Sequence, residues 1–140
     1  MRLFPRHREL LFPIFLVALI ALVFGRCVYF QFVLFDDDLH ILRNPFLKAQ
    51  TLPAIQFFWK NAYEGFYIPV TYSLWTLLAG LGRALGRGIQ GIDPLVFHTA
   101  NLVLHAINTV VLFYLLRRLL RLIKKESKDA TRGPIQGASP

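Results

Sequence analysis

Residues 10–38 read LLFPIFLVALIALVFGRCVYFQFVLFDDD, an apolar run interrupted by one charge, Arg26, and ended by three consecutive carboxylates, Asp36, Asp37 and Asp38. About 20 apolar residues in a helix cross a hydrocarbon layer of roughly 30 Å. The part Leu10–Phe35 is therefore expected to be a first transmembrane helix. A second run, Pro94–Leu116, contains no Asp, Glu, Lys or Arg and is expected to be a second. The carboxylates then open a loop, residues 36–93, strung between two membrane spans.

Composition agrees with that reading. Of 140 residues, 55% are hydrophobic and 13 are Phe. A soluble domain of this length has too little interior to hide so much apolar surface. The net charge of +8 is not spread over the chain. Arg2, Arg6 and Arg8 precede the first run, and Arg117, Arg118, Arg121, Lys124, Lys125, Lys128 and Arg132 follow the second. In the loop, Asp36, Asp37, Asp38, Glu64 and Asp93 balance Arg43, Lys48, Lys60, Arg83 and Arg87. Basic flanks stay on the cytoplasmic side, so residues 1–9 and 117–140 are expected to be cytoplasmic and the loop extracytoplasmic. Membrane lipids are the expected partners of the basic ends, and nucleic acid is not expected as one.

The first run is too long for the hydrophobic region of a signal peptide, and bulky and acidic residues follow it where cleavage prefers small ones; an uncleaved anchor is expected. Cys27 is the one cysteine, so no internal disulfide can form. Arg26 is either a boundary residue reaching toward the headgroups or a partner for an anionic group.

Within the loop, Arg43-Asn44-Pro45 reads as a turn, because the residue before proline is driven out of the helical region. Thr51 and Pro53 open a short helix, and Phe57, Phe58, Trp59, Tyr63, Phe66 and Tyr67 form an aromatic band suited to the headgroup zone. Pro69 opens another helix, Val70–Leu81, too short for a span and expected at the interface. Gly80, Gly82, Gly86, Gly88 and Gly91 read as a flexible connector before Asp93-Pro94 starts the second span. The whole is an all-α membrane protein, two transmembrane helices flanking an extracytoplasmic loop with short interfacial helices.

Three groups of residues carry possible chemistry. Asp36, Asp37 and Asp38 repel one another and call for a compensating cation; a carboxylate there could take a proton from a hydroxyl acceptor or hold a divalent cation, Mg or Mn, against a phosphate. The same cluster could equally be an acidic span end that keeps the loop out of lipid. Tyr67, Pro69, Thr71, Tyr72, Ser73 and Trp75 could line a sugar or lipid-head pocket, or simply anchor the interface. His98, Asn101, His105 and Asn108 are spaced by three, four and three, which places them on one sector of the second helix. Polar groups facing lipid are costly, so this stripe is expected to pack against other transmembrane helices.

These groups together resemble the amino-terminal part of multispanning glycosyltransferases of the GT-C type. The likeness is to the transmembrane, tetratricopeptide-repeat-containing branch that includes protein O-mannosyltransferases. Phe35-Asp36-Asp37-Asp38-Leu39-His40-Ile41-Leu42-Arg43-Asn44-Pro45 resembles that family's aspartate-pair motif with its asparagine-proline. Tyr67-Ile68-Pro69-Val70-Thr71 resembles its tyrosine-x-proline signature, and His98-Thr99-Ala100-Asn101 with Leu104-His105-Ala106-Ile107-Asn108 its second-span signature. The resemblance implies a polyprenyl-phosphate sugar as donor, Asp36 or Asp37 as catalytic base or metal ligand, Asp38 as a supporting member, and Arg43, Tyr67 and Pro69 beside the donor. Such enzymes enclose the lipid donor with many more spans. The expectation is therefore a truncated module in a bacterial inner membrane, incomplete alone and completed by helices of a larger protein or by further copies. The rival reading is a non-catalytic accessory protein that binds a larger membrane enzyme.

Overall fold

A computed structural model describes residues 7–49 and 51–131, with side chains over residues 10–49 and 51–128. Arg2, Arg6 and Arg132 of the basic ends lie outside the described residues, and the side chain of Arg8 is likewise outside them. The fold is all-α: α1 (His7–Phe24), α2 (Pro45–Lys48), α3 (Thr51–Lys60), α4 (Pro69–Ala84) and α5 (Pro94–Thr131), with a 3₁₀ turn at Gly25–Tyr29 and a π-type turn at Asp38–Leu42. Two stretches are long and apolar enough to cross a membrane, Leu10–Tyr29 and Pro94–Lys128. In their most apolar windows only 11% and 0% of residues are buried, so neither is covered within this chain.

The first helical stretch stops earlier than the apolar run predicts. Gly25 follows α1 at once, the helix tightens into the 3₁₀ turn, and Phe30 is extended, with its N–H donating to Cys27 O at 3.1 Å. Two local causes act together. Glycine is a poor helix residue, and Asp37 Oδ2 accepts the Val33 N–H at 3.0 Å, so a side chain takes a donor that a helix would need. Residues 30–35 thus leave the apolar helix and lead into the folded loop. The second stretch overruns instead: α5 continues past Leu116 because Arg, Lys, Glu and Leu are good helix formers and no breaker intervenes before residue 131.

The chain forms two compact units. One holds the described residues before Ile20 and after Leu104, where Phe12 and Phe113 stack with centroids 6.4 Å apart. The other, Ile20–Leu104, contains the loop and has its own core.

That core corrects the expectation of a surface aromatic band. Phe58 and Tyr72 are wholly buried and stack on each other, centroids 4.4 Å apart and rings 15° from parallel. Phe46 and Phe57 stack at 3.7 Å, and Tyr63 meets Phe46, Phe58 and Tyr72 edge-on. Ile41, Leu47, Ala54, Ala79, Ile92, Val96 and Phe97 complete the cluster. Helices α2, α3 and α4 pack on one another around it. Three short helices with few aliphatic residues gain stability by stacking rings, since aromatic side chains bury the most area per residue. Trp59, Phe66 and Tyr67 stay exposed and keep the expected surface character.

The glycine-rich stretch is built into the packing where a flexible connector was expected. Gly80 and Gly82 lie inside α4, which runs on to Ala84, and Gly82 is buried. A Cβ on Gly82 would fall 2.2 Å from Gly91 O, so the glycines allow the helix and the 88–92 turn to touch backbone to backbone. Arg83 ties the corner together, its Nη1 donating to Leu47 O at 2.8 Å and to Gln90 O at 3.2 Å, and its Nη2 to Thr51 Oγ1 at 3.3 Å. Asp93 then starts α5, accepting from Leu95 N–H at 2.8 Å with one oxygen and from Arg87 Nε at 2.9 Å with the other.

Candidate functional site

The three aspartates have different surroundings. Asp37 is committed to the Val33 N–H. Asp38 opens the π-type turn and pairs with Arg43, Nη2 to Oδ2 2.8 Å, which supplies the compensating cation. Arg43 is mostly exposed, so this pair contributes at most about 1 kcal/mol. Asp36 is exposed and forms no hydrogen bond or ion pair among the described residues. It is the carboxylate of the three that is free to meet a ligand.

A buried polar core begins on the turn that Asp38 opens. His40, on the π-type turn, is 9% exposed, and its Nδ1 lies 2.9 Å from Tyr72 Oη in a hydrogen bond. The rings of Tyr63, Phe66 and Tyr72 surround it. Thr76 Oγ1 donates to Tyr72 O at 2.7 Å, fixing the same turn of α4. Asn44 is fully buried and satisfied at both ends: Nδ2 donates to His40 O and Oδ1 accepts from Phe46 N–H, each at 3.0 Å. The asparagine-proline turn is therefore a helix cap that also closes the turn bearing His40. Burial pushes the Tyr72 phenol above the ordinary tyrosine range, with the neighbouring Tyr63 and Glu64 adding to it. Burial and then Glu64 do the same to Tyr63. Both phenols stay protonated at neutral pH and act as hydrogen-bonding groups rather than charges.

Tyr67 and Pro69 hold the loop's shape. Tyr67 Oη donates to Trp59 O at 3.1 Å, Trp59 Nε1 donates to Ser73 Oγ at 3.0 Å, and Pro69 opens α4. Through Tyr72, the tyrosine-proline segment reaches the aspartate segment at His40. The second-span stripe is only partly covered. His98 packs beside Phe32, centroids 5.6 Å apart, and its Nε2 is buried without a partner among the described residues. Asn101 and Asn108 are exposed and form no hydrogen bond among the described residues; the carbonyl of His105 accepts from Thr109 Oγ1 at 2.9 Å. The expected helical neighbours of Asn101 and Asn108 are not supplied by the described residues.

Sequence reasoning gave no weight to His40, Asn44 or Lys48 as site residues. His40 and Tyr72 are 32 positions apart, and no periodicity links them. Lys48 lines an open groove of about 570 Å³ with Gln31, Phe32, Leu34, Ile89 and Ile92. Among the described residues, no group of three or more His, Cys, Asp or Glu side chains converges as a metal site.

Comparison with protein-family models, with curated proteins and with solved structures finds no match.

Proposed function

We propose that this chain is a membrane-embedded module of the GT-C glycosyltransferase type, carrying the aspartate-bearing loop of a site that moves a sugar from a polyprenyl-phosphate donor to a hydroxyl acceptor. The observation that carries the reading is Asp36. It is an exposed carboxylate without a partner among the described residues, next to two aspartates that are engaged, and the turn behind it is braced by buried His40, Asn44 and Tyr72. Bracing of that kind is what a general base needs to meet an acceptor hydroxyl at a set distance. Asp36 takes the hydroxyl proton as the acceptor oxygen attacks the sugar carbon and the lipid phosphate leaves. Arg43 and Asp38 keep the neighbouring charge balanced. The alternative role for Asp36 and Asp37 is to hold a Mg or Mn ion, which would supply charge neutralisation at the donor phosphate; Asp36 would then be a ligand and not the base, and Asp37 would offer Oδ1, since its Oδ2 accepts the Val33 N–H.

Membrane residence is supported by the outward-facing apolar side chains of α1 and α5, such as Leu22, Val23, Val111 and Leu112, which lipid solvates and water does not. The basic flanks support cytoplasmic termini, and the resemblance implies a bacterial inner membrane. Two spans do not surround a lipid-linked donor, so further helices, of the same protein or another, complete the site.

The test is transfer of a radiolabelled hexose from polyprenyl phosphate in membranes carrying the chain. Asp36→Asn is expected to lower the rate by about 10²–10⁴-fold, the usual worth of a positioned base. Asp38→Asn is expected to cost much less. Equal rates for wild type and Asp36→Asn would remove Asp36 from the mechanism.

The exposed Asn101 and Asn108 favour a second reading, an accessory protein that binds a larger membrane enzyme through α5. In that case Asn101→Leu with Asn108→Leu lowers recovery of a multispanning partner after mild crosslinking, while Asp36→Asn leaves it unchanged. Recovery insensitive to the asparagines argues against it.

A further inference from the structure

The groove lined by Phe32, Leu34, Leu42, Lys48, Ile89 and Ile92 includes none of the three clustered aspartates and has an unusual balance of chemistry. Its wall is mostly apolar, with Gln31 and Lys48 as its polar side chains. Lys48 is the one charged residue in the lining, no carboxylate faces it there, and its ammonium forms no ion pair among the described residues. Leu34 and Ile89, on its rim, are 81% and 82% exposed. The volume of about 570 Å³ is within the ~300–1,000 Å³ range of small-ligand clefts.

Chain position says which phase the groove meets. Phe32 and Leu34 follow the end of the first apolar stretch at Tyr29, and Ile92 lies just before the second begins at Pro94. The walls are thus built where the chain leaves hydrocarbon and where it returns, the level of the phosphate headgroups. A lone cation above an apolar trough is complementary to an amphiphile whose anion sits directly over its acyl chain. Water would leave the apolar surface of Leu34 and Ile89 exposed at a hydrophobic cost, and a zwitterionic lipid would bring its own cation to compete with Lys48 for the phosphate.

We infer that this groove seats an anionic glycerophospholipid of the surrounding bilayer, its phosphate at Lys48 and the upper part of one acyl chain along Phe32, Leu42 and Ile92. The lipid acts as a resident wedge between the loop and the span ends, and is not itself consumed. The inference rests on the membrane residence proposed above, and is independent of sugar transfer.

The full chain is reconstituted in phosphatidylcholine vesicles containing a diazirine-bearing phosphatidylglycerol, illuminated and digested. Labelling is expected on peptides containing Phe32–Leu42 and Gly88–Ile92. Lys48→Gln is expected to lower it about fivefold, the worth of one basic residue at an anionic headgroup. Ile89→Asp, at an exposed rim position that the fold tolerates, is expected to lower it as well. Unlabelled phosphatidylglycerol should compete and inorganic phosphate should not.

Flotation of the same vesicles reports membrane insertion separately. A chain that floats but labels equally with a phosphatidylcholine probe, or whose labelling ignores Lys48→Gln, overturns the groove assignment alone. A chain that does not float overturns membrane residence and this inference with it. Displacement by polyprenyl phosphate at a lower concentration than by phosphatidylglycerol also overturns it, and assigns the groove to the donor lipid.

Discussion

Phe58→Ala is expected to unfold the loop unit while α1 and α5 remain helical. Phe58 has no exposed surface, stacks on Tyr72 and meets Phe46, Phe57 and Tyr63 edge-on, so it is the ring most of the others lean on. Truncating a fully buried Phe costs about 3–5 kcal/mol from lost transfer energy and the cavity left behind. A unit with three short helices around one aromatic cluster has little stability to spare, because domains of this size are marginal. Near-UV circular dichroism in detergent micelles should lose the aromatic signal, far-UV helicity should fall only modestly, and protease should cut between Thr51 and Asp93. Phe58→Leu, which keeps most of the volume, should retain the signal. An unchanged near-UV spectrum for the alanine variant would mean that the aromatic cluster is not the core of this unit.

Gly91→Ala should have an effect of similar size through the backbone. Gly91 has φ +88°, a left-handed conformation that costs an L-residue roughly 1–2 kcal/mol. A Cβ there would also fall 2.1 Å from Ala79 O and 2.9 Å from Arg83 N, and neither can move without shifting α4. Overpacking of that kind costs about 1–3 kcal/mol, for a total of about 2–5 kcal/mol. The clash falls on the same helix turn as Arg83, so the bonds from its guanidinium to Leu47 O and Thr51 Oγ1 should weaken too. Gly86→Ala is the internal control. Gly86 also has positive φ but nothing lies near its Cβ, so only the conformational part applies. Thermal unfolding of the two variants in the same detergent should separate them by several degrees. Coincident transitions would show that the approach of Gly91 to α4 is not tight.

The two proposals about function place different demands on the same loop. Transfer needs Asp36 positioned, and the His40, Asn44 and Tyr72 bonds order the turn that follows it in the chain. Lipid seating needs Lys48 and the span ends. Phe46, next to Pro45 in α2, packs into the aromatic cluster, so α2 joins the asparagine-proline cap to Lys48 at its other end. Damage to the cluster should therefore disturb both activities together, whereas Asp36→Asn and Lys48→Gln should separate them.

Much of this protein was legible without its tertiary structure, because the relevant quantities are local and additive. Apolar run length, the absence of charge from Pro94 to Leu116 and the start signals at Thr51, Pro69 and Pro94 each depend on neighbours in sequence. They led to two long apolar helices with short helices between them. The end of the first helical stretch at Tyr29 was not legible, since it depends on Asp37 capturing the Val33 N–H across a turn. Nor was the interior of the loop. Whether Phe58 faces headgroups or Tyr72, whether Gly82 and Gly91 are hinge or contact, and that His40 meets Tyr72 are decided by packing between residues far apart in the chain. Aromatic composition satisfies a membrane interface and a small core equally well. Only the folded arrangement, which buries some rings and leaves Asp36 and Lys48 open, separates the residues that hold the structure from those free to bind.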